Sequence, residues 1–150
     1  MTVMKLAVSK VLVGIDGSDH SFRAAQYALE ISKKYLAKLI AVTVTYMPAK
    51  SRVSQQEAIE VGAGLSEMDK AKTWFESFTQ SARQNRIDLK TELVNSQRPV
   101  DYVILEYAEK EGIDLIVIGT RGRSGLSKIV LGSVASGIVT YSHSPVLVVK

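Results

Sequence analysis

Residues 115–133 read LIVIGTRGRSGLSKIVLGS, and this stretch decides the fold. Leu115 to Ile118 are apolar without alternation, the pattern of a strand buried on both faces. A Gly/Ser-rich loop follows from Gly119, and Gly132-Ser133 opens a short helix expected to run to about Tyr141. Strand, glycine loop and helix in that order form a building unit of parallel α/β sheets.

The same alternation extends in both directions. Upstream, Val11 to Val13 form an apolar strand ending at Gly14-Ile15-Asp16-Gly17, with Ser18 as the N-cap of a helix. Phe22, Ala25, Leu29, Ser32 and Leu36 lie at helical spacing, beside a second row of Ala24, Ala28, Ile31 and Tyr35. This predicts a wide buried stripe. Leu39 to Val44 is the second strand, and Tyr46 to Ser54, with Pro48, is a loop. A long helix is expected over about 55–84, weakened early by Gly62 and Gly64, with Met68, Ala71, Phe75, Phe78 and Ala82 facing inward. Leu89, Thr91 and Leu93 alternate with Lys90 and Glu92, which places a half-exposed strand at a sheet edge. Pro99 opens a third helix, buried through Val100, Val103, Ile104, Tyr107 and Ala108 and ended by Gly112. Downstream, Pro145 precedes a last strand, Val146 to Val149. The fold class is α/β, a parallel sheet with helices on both faces.

At 150 residues, one domain spanning 1–150 is expected. With 46% hydrophobic residues and a mean hydropathy of +0.09, the chain can bury a substantial core. It has no cysteine, which excludes disulfides, thiolate metal sites and thiol nucleophiles. No apolar run approaches the roughly 20 residues of a membrane helix. The start, Met1 to Lys10, is too short for a secretory signal, so a cytoplasmic location without membrane association is expected. The net charge of +4 raises a nucleic-acid reading, but the bases are spread along the chain and do not interleave with aromatics. No nucleic acid partner is expected. His20 and His143 lack partners at metal spacing and read as surface or turn residues. Trp74 reads as a core or dimer-packing residue.

In open parallel sheets, ligands bind beyond the carboxyl ends of the strands where the strand order reverses. Two turns have suitable composition: Gly14 to Ser18, and Gly119 to Gly125 leading to Gly132-Ser133. Glycines let amides approach a phosphate, and a helix N-terminus adds donors and a positive dipole. Ser133 can donate its hydroxyl, and Arg121 and Arg123 can neutralise phosphate charge. The Walker spacing and G-x-G-x-x-G are both absent.

Gly119, Gly122 and Gly132-Ser133, spaced G-x-x-G-x(9)-G-S, resemble the nucleotide-binding signature of the universal stress protein family. Three glycines and a serine at fixed spacings, at about 7% usage each, are expected about 0.003 times per chain of this length. The resemblance extends to Asp16 after the first strand, the loop before Pro99, Asp114 before strand four, and the closing Pro145-Val-Leu-Val-Val. It implies a five-stranded sheet in the order 3-2-1-4-5, of the Rossmann-like adenine nucleotide alpha-hydrolase type, with ATP between strands one and four. On that reading Asp16 lies beside the nucleoside or its metal, and the Val44 backbone meets the adenine. Gly119, Gly122, Gly132, Ser133 and the Val134 amide hold ribose and phosphates, with Arg121 as a phosphate contact and magnesium arriving with the nucleotide. One departure is Gln97 before Arg98-Pro99, where many members carry glycine. The resemblance also implies a homodimer through strand five, which is apolar yet at a sheet edge. The function expected is a nucleotide-dependent stress or signalling switch with an unidentified protein partner. No general base is evident near the phosphate loop, so a dedicated enzyme is not expected and slow ATP hydrolysis is the most that is implied. The alternatives are a nucleotide-free dimeric binding module, a slow ATP hydrolase, and a flavodoxin-like redox protein, for which Gly14 to Ser18 is too sparse in hydroxyls.

Overall fold

The computed structural model describes residues 7–46, 63–120 and 131–150. Strands β1 (Lys10–Gly14), β2 (Lys38–Tyr46), β3 (Leu89–Ser96), β4 (Leu115–Gly119) and β5 (Val146–Val149) alternate with helices α1 (Asp19–Tyr35), α2 (Ala63–Gln84), α3 (Val100–Glu111) and α4 (Ser133–Tyr141). All four strand pairings are parallel, in the order β3-β2-β1-β4-β5. The sheet order matches the expectation, and β3 is an edge strand.

Alternation along the strands divides the interior into two layers. Val11 and Val13 point to the face where Ala24, Ala25 and Ala28 of α1 and Phe78 of α2 pack. Leu12 points to the other, with Ile104 and Ala108 of α3 and Ala135 and Ile138 of α4. Central strands covered on both faces explain why their sequences are apolar without alternation.

The helix ends follow local chemistry. Ser18 caps α1, its side chain accepting the Ser21 amide, and Leu36 ends the helix in the left-handed region at φ 55°. Gly112 ends α3 at φ 64°. Pro99 is the N-cap of α3, one residue before the first helical position.

The buried stripe of α1 is narrower than its spacing predicts. Ser21, Ala24, Ala25, Ala28 and Ser32 are buried, whereas Phe22 and Tyr35 are exposed and Leu36 is 92% exposed. Small residues let the helix lie close to the sheet, which leaves the bulky neighbours at its margins. Leu36 leaves the helical face because its backbone terminates the helix. On α2, Ala71, Phe78 and Ala82 are buried as expected. The expected segment 55–62, the loop after Tyr46 and the Met68 side chain lie outside the described residues.

Candidate functional site

The sheet order reverses between β1 and β4, which opens a crevice beyond their carboxyl ends. One lip is the turn after β1. Asp16 Oδ1 accepts from the Ser18 amide at 2.9 Å and the Ser18 hydroxyl at 2.6 Å. Ser18 Oγ accepts from the Ser21 amide at 3.2 Å, and Ser21 Oγ accepts from the Asp16 amide at 3.3 Å. These bonds close a ring that fixes the carboxylate at the crevice and caps α1 with the same atoms. Asp16 is thus both a turn residue and a rim residue.

The floor is set by β2, which outruns β1. Gly14 pairs with Val42, so Thr43 to Tyr46 extend past the end of β1. The Thr43 hydroxyl donates to the Ile15 carbonyl at 2.9 Å and is buried, tying this ledge to the turn. Ile15 donates to the Val42 carbonyl at 2.9 Å, so Val42 faces the β1 side. By alternation, Val44 also presents its N–H and C=O to that side, beyond the last residue of β1. Its side chain packs with the α3/α4 layer.

The other lip is the end of β4 and the start of α4. Gly119 lies directly under the first turn of α1. A Cβ there would stand 2.8–2.9 Å from the backbone carbon, oxygen and Cβ of His20. This glycine is required by the approach of helix to strand, a reason its sequence context does not reveal. Gly132 donates its amide to the Thr120 carbonyl at 2.8 Å, which commits that donor within the fold. Gly132 is the N-cap of α4 and offers no side-chain cap, so among the described residues no N-cap side chain takes up the first amides of the helix, at Ser133 and Val134. Ser133 is exposed and Val134 half-buried. Arg121, Gly122 and Arg123 lie outside the described residues.

The structure brings Asp16, Gly119, Ser133 and Val134 to the carboxyl ends of the central strands, with Val44 on the ledge beside them. Sequence reading missed Thr43, whose hydroxyl partner is 28 residues away. It read His20 as a surface or turn residue; His20 stands half-buried in the first turn of α1 against Gly119, and its buried Nδ1 has no hydrogen-bond partner among the described residues.

Among the described residues no cluster of His, Cys, Asp and Glu forms a metal site, and no helix is long and apolar enough to cross a membrane. The crevice offers a fixed carboxylate, a backbone donor–acceptor pair and helix-terminal amides. Such a set can hold a ligand with an anionic end and a planar polar end. Two cavities lie elsewhere: one of about 740 Å³ between α3 and α4, and one of about 620 Å³ between α2 and β3.

The universal stress protein family model matches residues 7–150. Universal stress protein MJ0531 from Methanocaldococcus jannaschii is 33% identical over 141 residues, covering 94% of this chain and 81% of its own. Universal stress protein UspA from Lactobacillus plantarum has the same fold, with a TM-score of 0.83, 26% identity, and coverage of 97% of this chain and 100% of its own. A universal stress protein solved in complex with cAMP superposes with a TM-score of 0.68 at 26% identity, covering 96% of this chain and 98% of its own. With nearly its whole length matched, the chain belongs to the universal stress protein family.

Proposed function

We propose that this chain binds an adenine nucleotide, ATP with magnesium, in the crevice between β1 and β4, and works as a nucleotide-dependent switch. The observation that carries the reading is the Val44 edge. A neighbouring N–H and C=O turned past the end of β1 match the donor and acceptor on an adenine edge. A relative of known structure holds cAMP, another adenine nucleotide, which supports this class of ligand.

In this reading Asp16 lies beside the ribose or the magnesium. The Ser133 and Val134 amides and the Ser133 hydroxyl hold phosphate oxygens at the start of α4. Gly122 gives the loop its close backbone approach, and Arg121 neutralises phosphate charge. Gly119 and Gly132 act one step back: Gly119 admits α1, and Gly132 closes the loop base through Thr120. The group supplied by the ligand is a phosphate chain, and the described residues bind and orient it.

The single domain spanning 1–150 is proposed to act in the cytoplasm as a homodimer joined by β5, passing the nucleotide state to a protein partner. Turnover is proposed to be slow, because the carboxylate at the crevice, Asp16, is engaged by the Ser18 amide and hydroxyl.

The test is direct. Purified protein is denatured and released nucleotide identified by mass spectrometry, and the thermal midpoint is followed with ATP, AMP and cAMP. Co-purifying adenine nucleotide and a rise in midpoint with ATP are expected. No nucleotide and no shift would remove the reading.

A further inference from the structure

The start of α1 is capped by Ser18 but lacks its own hydrophobic staple. In the common arrangement, the residue before the N-cap packs against the fourth helical residue and fixes the angle at which the chain enters the helix. Here those positions are Gly17 and Phe22, and glycine has no side chain to offer. The missing apolar contact comes from α2. The Trp74 ring meets Phe22 edge to face, with centroids 6.3 Å apart and planes at 79°. The same ring covers Gly17 so closely that a Cβ there would stand 2.0 Å from Trp74 Cζ2. Gly17 has φ +83°, a conformation that the turn needs and that favours glycine.

We infer that Trp74 is a positioning residue for the crevice: from α2 it clamps the Asp16-Gly17-Ser18 turn and makes the packing of α2 sensitive to what Asp16 holds. The inference rests on the nucleotide reading above and deepens it by naming the element that receives the signal. Asp16 is covalently next to Gly17, so a shift of the turn toward a ligand changes the surface on which the indole lies. The link is reciprocal, because a clamp that senses the turn also sets its affinity. Docking of α2 does not depend on the indole alone, since Ala71, Phe78 and Ala82 are buried along the same helix. Loss of the ring therefore loosens the turn more than it loosens the sheet.

The experiment measures ATP binding by calorimetry in the wild type, Trp74→Phe and Trp74→Ala. It also records indole emission of the wild type during the titration, which reports one site because the chain has a single tryptophan. Emission is expected to change in step with the calorimetric isotherm. Trp74→Ala is expected to weaken ATP binding roughly tenfold, and Trp74→Phe, which keeps a flat ring against Phe22, by no more than about twofold. Should Trp74→Ala fail to fold, the emission titration of the wild type still decides. A wild type that binds ATP with unchanged emission, or a folded Trp74→Ala that binds as tightly as the wild type, would overturn the clamp while leaving the nucleotide reading intact. A wild type that takes up no ATP by calorimetry would remove that reading and this inference with it.

Discussion

The Gly132 amide donates to the Thr120 carbonyl at 2.8 Å, and Thr120 donates in turn to the Val149 carbonyl at 2.9 Å. Thr120 and Gly132, the described residues on either side of the glycine loop, are therefore bonded to each other and anchored to β5. A stem held this way separates two kinds of glycine. Gly122 lies within the loop, so Gly122→Val should abolish ATP binding while the urea midpoint stays close to that of the wild type. A large fall in the midpoint would show that the loop is part of the folding unit.

Gly119 should behave in the opposite way. An added methyl would meet His20 backbone at 2.8–2.9 Å, and backbone cannot rotate aside as a side chain can. Gly119→Ala is expected to cost about 1–3 kcal/mol of stability, as overpacking does. Urea denaturation reads this with or without nucleotide.

How far the sequence carried the reading depends on the range of the interaction. Val11 to Val13 and Leu115 to Ile118 are legible because central strands covered on both faces must be apolar throughout. Ser18 and Gly112 are legible because caps act within one helical turn. The alanines of α1 were visible as part of a stripe, but the exposure of Phe22 and Leu36 was not, since spacing cannot say how closely a helix approaches its sheet. For the site, Asp16 and Ser133 were named from a strand end and a helix start, while Val44 and Val134 entered only through the family resemblance. The packing reason for Gly119, the bond from Thr43 to Ile15 and the ring of Trp74 on Gly17 join distant parts of the chain, and no local pattern encodes them.

Asp114 links the start of β1 to the start of β4. Its Oδ2 accepts from the Ser9 amide at 2.9 Å, the Ser9 hydroxyl at 2.8 Å and the Lys10 amide at 2.9 Å. Burial alone would raise its pKa, but the hydrogen bonds from Ser9 and Lys10 outweigh it and hold the carboxyl below its usual 3.8. A depressed folded pKa means that the unfolded chain takes up the proton first. The stabilisation is therefore complete above the unfolded value and is lost as pH falls through the folded one. Asp114→Asn should lower stability at pH 7 by about 1 kcal/mol and flatten the acid limb of the stability profile below about pH 4. Chemical denaturation at a series of pH values checks both.

Tyr107 on α3 donates its hydroxyl to Glu92 on β3, a pin between helix and edge strand. Burial, then the bond to Glu92, pushes its pKa up to about 12. A raised folded pKa gives stability that is complete below the ordinary value of 10 and is lost as pH climbs toward 12. Ultraviolet titration should show a tyrosine step near pH 12, and Glu92→Gln should bring that step down. Tyr107→Phe is expected to cost about 1 kcal/mol.

The open edge of β5 decides the proposed homodimer. Ile116 donates to the Pro145 carbonyl and Thr120 to that of Val149, so the odd-numbered residues of β5 face β4. Val146 and Val148 then turn their N–H and C=O outward, where an antiparallel copy of β5 could pair with them. Val148→Pro removes one outward donor without touching a bond to β4, and proline is tolerated on an edge where the lost N–H faced away from the sheet. Sedimentation velocity should find the wild type dimeric at micromolar concentration and Val148→Pro monomeric, with the circular dichroism of both alike. A dimer that survives the proline would place the contact on another surface, and a monomeric wild type would remove the homodimer altogether.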